Sequence, residues 1–145
     1  MVDRIACPWL IRKFIDPGAE FEYVPADRVL EVATRTGAIP FDAPGAELHH
    51  FQVGSEEHVS FDALIRRYAL TDPPLLALAQ IVRVADGGSG SAPEAAGLKA
   101  AASGFRAIAH DDHENQRLQF PLYDALYAHC AARLRSEDRS LPKRQ

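Results

Sequence analysis

The chain of 145 residues contains only two cysteines, Cys7 and Cys130, and they lie far apart. A small secreted protein held together by disulfides would need more cysteines in a shorter chain, so we expect both thiols to be reduced and the protein to be cytoplasmic. The sequence also lacks a hydrophobic run of membrane-spanning length, and its first residues lack the pattern of a secretory signal. We therefore expect neither a disulfide scaffold nor a membrane protein.

The motifs that identify common enzymes are also missing. We find no glycine-rich phosphate loop, no C-x-x-C pair, no H-E-x-x-H zinc motif and no nucleophile elbow. No motif for a nucleotide cofactor is present either. The sequence therefore assigns no catalytic residue, and any chemistry has to come from groups that the fold brings together.

The composition is that of an ordinary globular protein, with 47% hydrophobic residues and a formal net charge of -4 at pH 7. This length predicts a single domain, which we place at residues 1–135, followed by a polar, disordered tail at residues 136–145. The negative overall charge makes nucleic acid an unfavourable partner for this chain alone. The sequence leaves open whether the domain forms a homodimer.

Hydrophobic periodicity predicts an α+β fold that is mostly helical, with five or six helices. Alternating segments at 20–24, 38–42 and 46–51 predict a small sheet of two or three strands in the N-terminal half. In the first helix, Pro8 fits the first helical position, which makes Cys7 the predicted N-cap.

Imidazole and carboxylate side chains cluster just before the last amphipathic helix. Five consecutive residues there are ionisable: His110, Asp111, Asp112, His113 and Glu114. Ligands of these types at this density can bind a divalent cation such as Zn, Mn or Fe. The alternative is a helix start, in which Asp111 or Asp112 is the N-cap and Glu114 lies in the first turn, where the helix dipole favours a negative charge. The run alone does not decide between the two.

A metal site would need partners from elsewhere in the chain. The candidates are Glu47, His49 and His50 on a predicted strand, together with Asp86 at a predicted helix end. Side chains alternate along a strand, so His49 and His50 cannot both face one site unless the chain bulges. The helix dipole disfavours an acidic residue at the C-terminal end, so Asp86 is either held by a cation or lies outside the helix in solvent. Within the 111–114 run, we expect one residue of each adjacent pair to face the site.

The first helix carries two further hypotheses. A thiol at a helix N-terminus near Arg4 would favour the thiolate, which makes Cys7 a candidate redox residue, and the alternative is a small buried hydrophobe. Arg4 and Arg12 could bind an oxyanion, because guanidinium groups suit tetrahedral dianions. The alternative for both arginines is a solvated helix face.

Several stretches resemble the chromate-resistance family of the ChrB type. They are DRIACPWLIRKFID near the N-terminus, AIPFDAPGAELHH with VSFDALIRRY after it, and DDHE with LYDALYAHCAARL near the C-terminus. The resemblance extends from residue 3 to about residue 134. Longer family members join an N-terminal regulatory region to this domain, and the chain resembles the C-terminal domain alone.

The resemblance implies an accessory or sensor domain in chromate resistance, with a metal ion or chromate as its small inorganic partner. Positions matching His50, Asp86 and the 111–114 run recur in the family. The implied metal ligands are therefore His50, Asp86, Asp111, Asp112, His113 and Glu114. The alternatives are a metal-dependent enzyme, either a hydrolase or a chromate reductase, and a plain interaction domain.

Overall fold

Six α-helices form most of the structure, a computed structural model that describes residues 2–142. They are α1 (Asp3–Leu10), α2 (Val29–Thr36), α3 (Ser60–Arg67), α4 (Pro73–Ala85), α5 (Ala95–Ile108) and α6 (Asp112–Ser140). A π-helical turn (Ile11–Ile15) continues α1, and a 3-10 turn (Ala26–Arg28) leads into α2. Two strands, β1 (Phe51–Val53) and β2 (Glu56–His58), form an antiparallel hairpin. The predicted fold class, α+β and mostly helical, is confirmed.

The hydrophobic core lies where α1, α3, α4 and α6 meet. Every residue of α1 except Arg4 is buried, which explains why this helix is apolar on nearly all sides. Phe61 from α3, Leu78 from α4 and Tyr123 from α6 are fully buried around it. The ring of Trp9 packs against Tyr123 at a centroid distance of 6.0 Å. Burying a side chain of this size contributes about 1.5–3 kcal/mol, so this cluster fixes the position of α1.

The predicted strand at 20–24 was wrong. This segment has no assigned strand or helix, and its alternate side chains pack on their surroundings instead of forming a ladder. Phe21 meets Phe41 edge to face, and the Tyr23 hydroxyl donates to Gln116 Oε1 at 2.8 Å. The alternation in the sequence therefore reflects packing of side chains in an unpaired segment.

The predicted strands at 38–42 and 46–51 form one isolated parallel bridge, between Phe41 and Leu48, and only Phe51 at the end of the second segment belongs to a strand, β1. The sheet lies at the hairpin that follows. There Phe51 pairs with His58, and the two rings stack at 4.8 Å. Gly54 in the connecting turn has a φ of 61°, a conformation that favours glycine.

The start of α1 was also predicted wrongly. The helix begins at Asp3, so Pro8 lies inside it and Cys7 is not the N-cap. The first amides of the helix are capped by a distant side chain, because Asp86 Oδ1 accepts from the N–H groups of Val2 and Asp3 at 2.7 and 3.3 Å. A cap that comes from another helix leaves no local signal in the sequence.

The last helix is continuous through Pro121 and extends to Ser140. It therefore includes residues 136–140, which the sequence assigned to a disordered tail, while residues 143–145 lie outside the described residues. Within residues 2–142, none of the helices combines the length and hydrophobicity that a bilayer span requires.

Replacing Phe61 by alanine should lower the free energy of unfolding by about 3–5 kcal/mol, because the change removes buried surface and leaves a cavity. Urea denaturation followed by circular dichroism measures this loss. Ile108 is 66% exposed, so Ile108→Ala serves as the control and should change stability by less than about 0.5 kcal/mol. Equal losses in the two variants would contradict the position of the core.

Candidate metal centre

Asp3, His50 and Asp86 place three candidate metal ligands close together. His50 Nε2 lies 3.4 Å from Asp3 Oδ2 and 3.2 Å from Asp86 Oδ2, and one ligand atom from each residue lies within 4.8 Å of the others. Two atoms bound to one tetrahedral ion at ordinary Zn–N and Zn–O lengths are about 3.3 Å apart. The two histidine–carboxylate distances therefore already match those around a bound ion.

Asp86 is held at the site by the helix that it caps. It follows α4 directly, where that helix's dipole disfavours a carboxylate, but its Oδ1 accepts from the first amides of α1. The same charge therefore lies at the favourable end of α1. Its Oδ2 is buried without a hydrogen-bond partner among the described residues. Neither of the two explanations that the sequence offered for Asp86 included this contact.

Asp3 is fully buried at the first position of α1. Its Oδ2 accepts from the backbone N–H of Ser60, the first residue of α3, at 2.7 Å. Its Oδ1 is buried and has no hydrogen-bond partner within residues 2–142. A buried polar atom left unsatisfied costs about 1–3 kcal/mol, and more when it is charged. Coordination of a cation would remove this cost.

His50 directly precedes β1 and forms the accessible side of the site. Its side chain is 36% exposed, whereas those of Asp3 and Asp86 are 0% and 1% exposed. The neighbouring His49 stacks on its ring at 5.0 Å and does not join the group of ligand atoms. The expectation that only one of these two histidines faces the site agrees with this geometry.

The electrostatics of the site reflect an excess of buried negative charge. Burial first, and then the charges of Asp86 and Asp42, together raise the pKa of Asp3 to about 7, against the opposing contacts with His50 and the Ser60 amide. Burial also raises the pKa of Asp42, which accepts from the Ser60 hydroxyl at 2.9 Å. The pKa of His50 is raised, first by its interaction with Asp3 and then by the surrounding carboxylates. Such a site favours a proton or a metal cation.

The 111–114 run does not join this group of ligand atoms. Asp111 is the N-cap of α6, and its side chain accepts from the Glu114 N–H at 2.8 Å. Glu114 Oε2 lies 2.6 Å from both the backbone nitrogen and the ring nitrogen of His110. The contacts of these residues are those of the helix start that the sequence offered as the alternative.

The other two residues of the run contact α1 and the segment after it. The Asp112 carboxylate accepts two hydrogen bonds from Arg4, at 2.8 and 2.7 Å, and this contact lowers the pKa of Asp112. The His113 ring lies edge-on to Tyr23 at 5.2 Å. Both side chains thus attach α6 to the N-terminal part of the chain.

The remaining predicted residues also have other partners. Arg12 donates to the Ala19 carbonyl at 3.0 Å and lies over the rings of Phe21 and Phe120. Cys7 is fully buried, and burial raises its pKa well above the ordinary value, with further increases from nearby carboxylates. That environment disfavours the thiolate on which the redox hypothesis depends.

Sequence reasoning missed Asp3 as a ligand candidate and Asp42 as an acidic neighbour of the site. Asp3 could have been noticed as an acidic residue at the start of an otherwise apolar helix. Asp42 has a φ of 52°, which is uncommon for a residue other than glycine, but no local motif marks it. Its place beside Ser60 arises only from the tertiary fold.

Comparison with known proteins shows the family of this chain. Residues 1–130 match the family model described as ChrB, C-terminal domain. Protein ChrB from Cupriavidus metallidurans is 37% identical over 133 residues, which cover 90% of this chain and 38% of that protein. The chain therefore belongs to the ChrB family. It spans well under half the length of that relative, and no solved structure matches it.

Asp111→Ala should lower the free energy of unfolding by about 1 kcal/mol, because α6 loses its N-cap, and should leave any affinity for divalent metal unchanged. Urea denaturation and metal titration measure the two effects. Asp111→Asn keeps an accepting oxygen and should retain most of the stability. Loss of metal affinity in the alanine variant would place the run in the metal site after all.

The raised pKa of Asp3 predicts that the metal-free protein becomes less stable as the pH rises. Its pKa of about 7 lies above the ordinary 3.8, so the folded protein keeps a proton that the unfolded chain loses between these values. Stability therefore falls across this interval. His50 acts with the same sign, because its raised pKa gives stability that is present below 6.5 and lost as the pH rises through the folded-state pKa. Asp3→Asn should reduce this slope because asparagine does not titrate. The variant should still fold, since its amide oxygen can accept from Ser60.

The slope is measured by urea denaturation of chelator-treated protein between about pH 4 and about pH 8. His49→Ala, next to the site but outside the group of ligands, is the control and should keep the wild-type slope. An unchanged slope in Asp3→Asn would show that the Asp3 carboxyl titrates in its ordinary range.

Proposed function

We propose that this domain binds a divalent transition-metal ion through Asp3, His50 and Asp86, and that it acts as an accessory or sensor domain in chromate resistance. The observation that carries the proposal is a pair of buried carboxylates beside one imidazole nitrogen, with Asp86 Oδ2 lacking a donor at 3.2 Å and Asp3 Oδ2 at 3.4 Å from His50 Nε2. One nitrogen and two oxygen ligands suit Zn, Mn or Fe. The role in chromate resistance rests on membership of the ChrB family.

Three protein ligands would leave at least one coordination position for water or an anion. This matters for a chromate response, because chromate is a dianion and the carboxylates of the site would repel it in the absence of a cation. A bound metal ion would reverse the sign of that interaction. The ion would also join α1, the end of α4 and the residue before β1, so its binding would stabilise their arrangement.

The alternatives gain less support. A chromate reductase that uses Cys7 would need an accessible thiolate, and this thiol is buried with a raised pKa. A hydrolase would use the same metal site with a bound water, so it depends on the metal proposal. Both cysteines are free and buried, as expected for a protein of a reducing compartment, and we keep the cytoplasm as the proposed location.

Metal analysis on protein purified without a histidine tag tests the proposal. We expect about one Zn, Mn or Fe ion per chain, lost in His50→Ala and in Asp86→Asn. The asparagine variant keeps the oxygen that caps α1, so it separates metal binding from folding. His49→Ala is the matched control and should retain the ion. Removing the metal with a chelator should lower the melting temperature of the wild-type protein but not of His50→Ala.

Background metal in the wild-type protein, together with a melting temperature that chelator does not change, would contradict the proposal and leave a plain interaction domain. Full retention of metal in both His50→Ala and Asp86→Asn would likewise place the ion elsewhere.

A further inference from the structure

A cavity of about 380 Å³ is lined by residues from α1, α5, α6 and the end of α4. Three of its lining side chains are cationic: Arg4 from α1, and Lys99 and Arg106 from α5. Asp86 is its acidic lining residue, and that carboxylate already contacts the first amides of α1 and His50. The volume lies at the lower end of the range of cavities that bind small molecules.

The cationic residues of α5 lie on one face of the helix. Lys99, Ser103 and Arg106 are four and three residues apart, the spacing that puts side chains on the same side, and all three line the cavity. Neither Lys99 nor Arg106 forms an ion pair with another residue in the part of the chain that the structure describes, whereas Arg4 is paired with Asp112. Two cationic side chains without an ion-pair partner among the described residues therefore border one cavity, and the charge of Arg106 also helps to lower the pKa of Asp112.

Two buried amides of α6 also line the cavity. Asn115 and Gln119 are 5% and 2% exposed, and the Gln119 side-chain nitrogen donates to Asn115 Oδ1 at 2.7 Å. Gln119 Oε1 is buried and has no partner among residues 2–142. The Asn115 side-chain nitrogen lies opposite the oxygen that accepts from Gln119 and donates to none of the described residues. Exchanging nitrogen and oxygen in both amides keeps their mutual bond, and in either orientation one NH₂ group remains without an acceptor. The amide pair therefore adds a free donor to the cations of the cavity.

We propose that this cavity binds a small tetrahedral oxyanion with two negative charges, held by Lys99 and Arg106 and by the amide donor of the Asn115–Gln119 pair. The two negative charges of a dianion equal in number the two cations, Lys99 and Arg106, that lack an ion-pair partner among the described residues. Ammonium and guanidinium groups both bind such oxyanions. The proposal deepens the function proposed above by giving the oxyanion a site. It rests on that function only for the biological identity of the anion, since the cavity itself does not require the metal.

Asp86 connects the two sites because it lines the cavity and belongs to the candidate metal centre. A metal ion on this carboxylate would reduce the negative charge that faces the anion, so each ligand should strengthen the binding of the other by the same factor. The geometry therefore gives a sensor domain two coupled inputs, a cation and an oxyanion.

Titration calorimetry with sulfate on chelator-treated full-length chain, at constant ionic strength, tests the site. We expect saturable binding that Lys99→Gln and Arg106→Gln each weaken about ten-fold, the usual effect of losing one charged hydrogen bond. Both replaced residues are exposed, so the variants should fold. Arg117→Gln removes an exposed arginine of α6 outside the cavity and is the charge-matched control, expected to bind as the wild-type protein does. Phosphate and chromate should compete with sulfate.

Three results would overturn the proposal: heats no larger than those with chloride, equal weakening in Arg117→Gln and the two cavity variants, or loss of sulfate binding in His50→Ala. The last would mean that the anion binds at the metal centre. Sulfate binding that persists in His50→Ala, while added metal no longer strengthens it, supports the cavity and its coupling. The sulfate result on metal-free protein stands even if the metal proposal fails.

Discussion

The carboxylate of Asp86 joins the end of one helix to the start of another. One of its oxygens accepts from the first amides of α1, and the other lies 3.2 Å from His50. The negative charge that α4 disfavours is thereby placed where α1 favours it. Because α1 is almost entirely buried, this contact helps to set the position of Asp3 relative to the imidazole. The candidate metal centre depends on that placement.

Two buried carboxylates side by side are costly in a protein interior, and a fold keeps them only when something offsets the cost. Here part of the offset comes from backbone donors: the α1 amides for Asp86 and the Ser60 amide for Asp3. The imidazole contributes to the remainder, and burial raises the pKa of Asp3, so that its carboxyl takes up a proton more readily. In the proposed site, a cation would take the place of this proton.

Local patterns predicted much of the fold and part of the site. Helical periodicity found the helices because their apolar faces repeat along the chain, and in the structure Asp72 caps α4, which begins at Pro73. The sheet was misplaced because the alternation at 20–24 comes from side chains that pack without a paired strand. His50 and Asp86 were identified, with the family resemblance, whereas Asp3 was missed because its partners lie far away in the sequence. The 111–114 run, which the sequence offered either as ligands or as a helix start, makes the contacts of a helix start, because the same residue types serve as helix caps.

The burial of Val2, which is only 4% exposed, has a mechanical consequence. The backbone enters α1 directly beside the candidate metal centre, where the Val2 amide donates to the candidate ligand Asp86 at 2.7 Å. Any polypeptide joined ahead of this point would be attached within one residue of Asp3. A displacement of these carboxylates would then be transmitted to such a segment along only two peptide units, without first passing through the core.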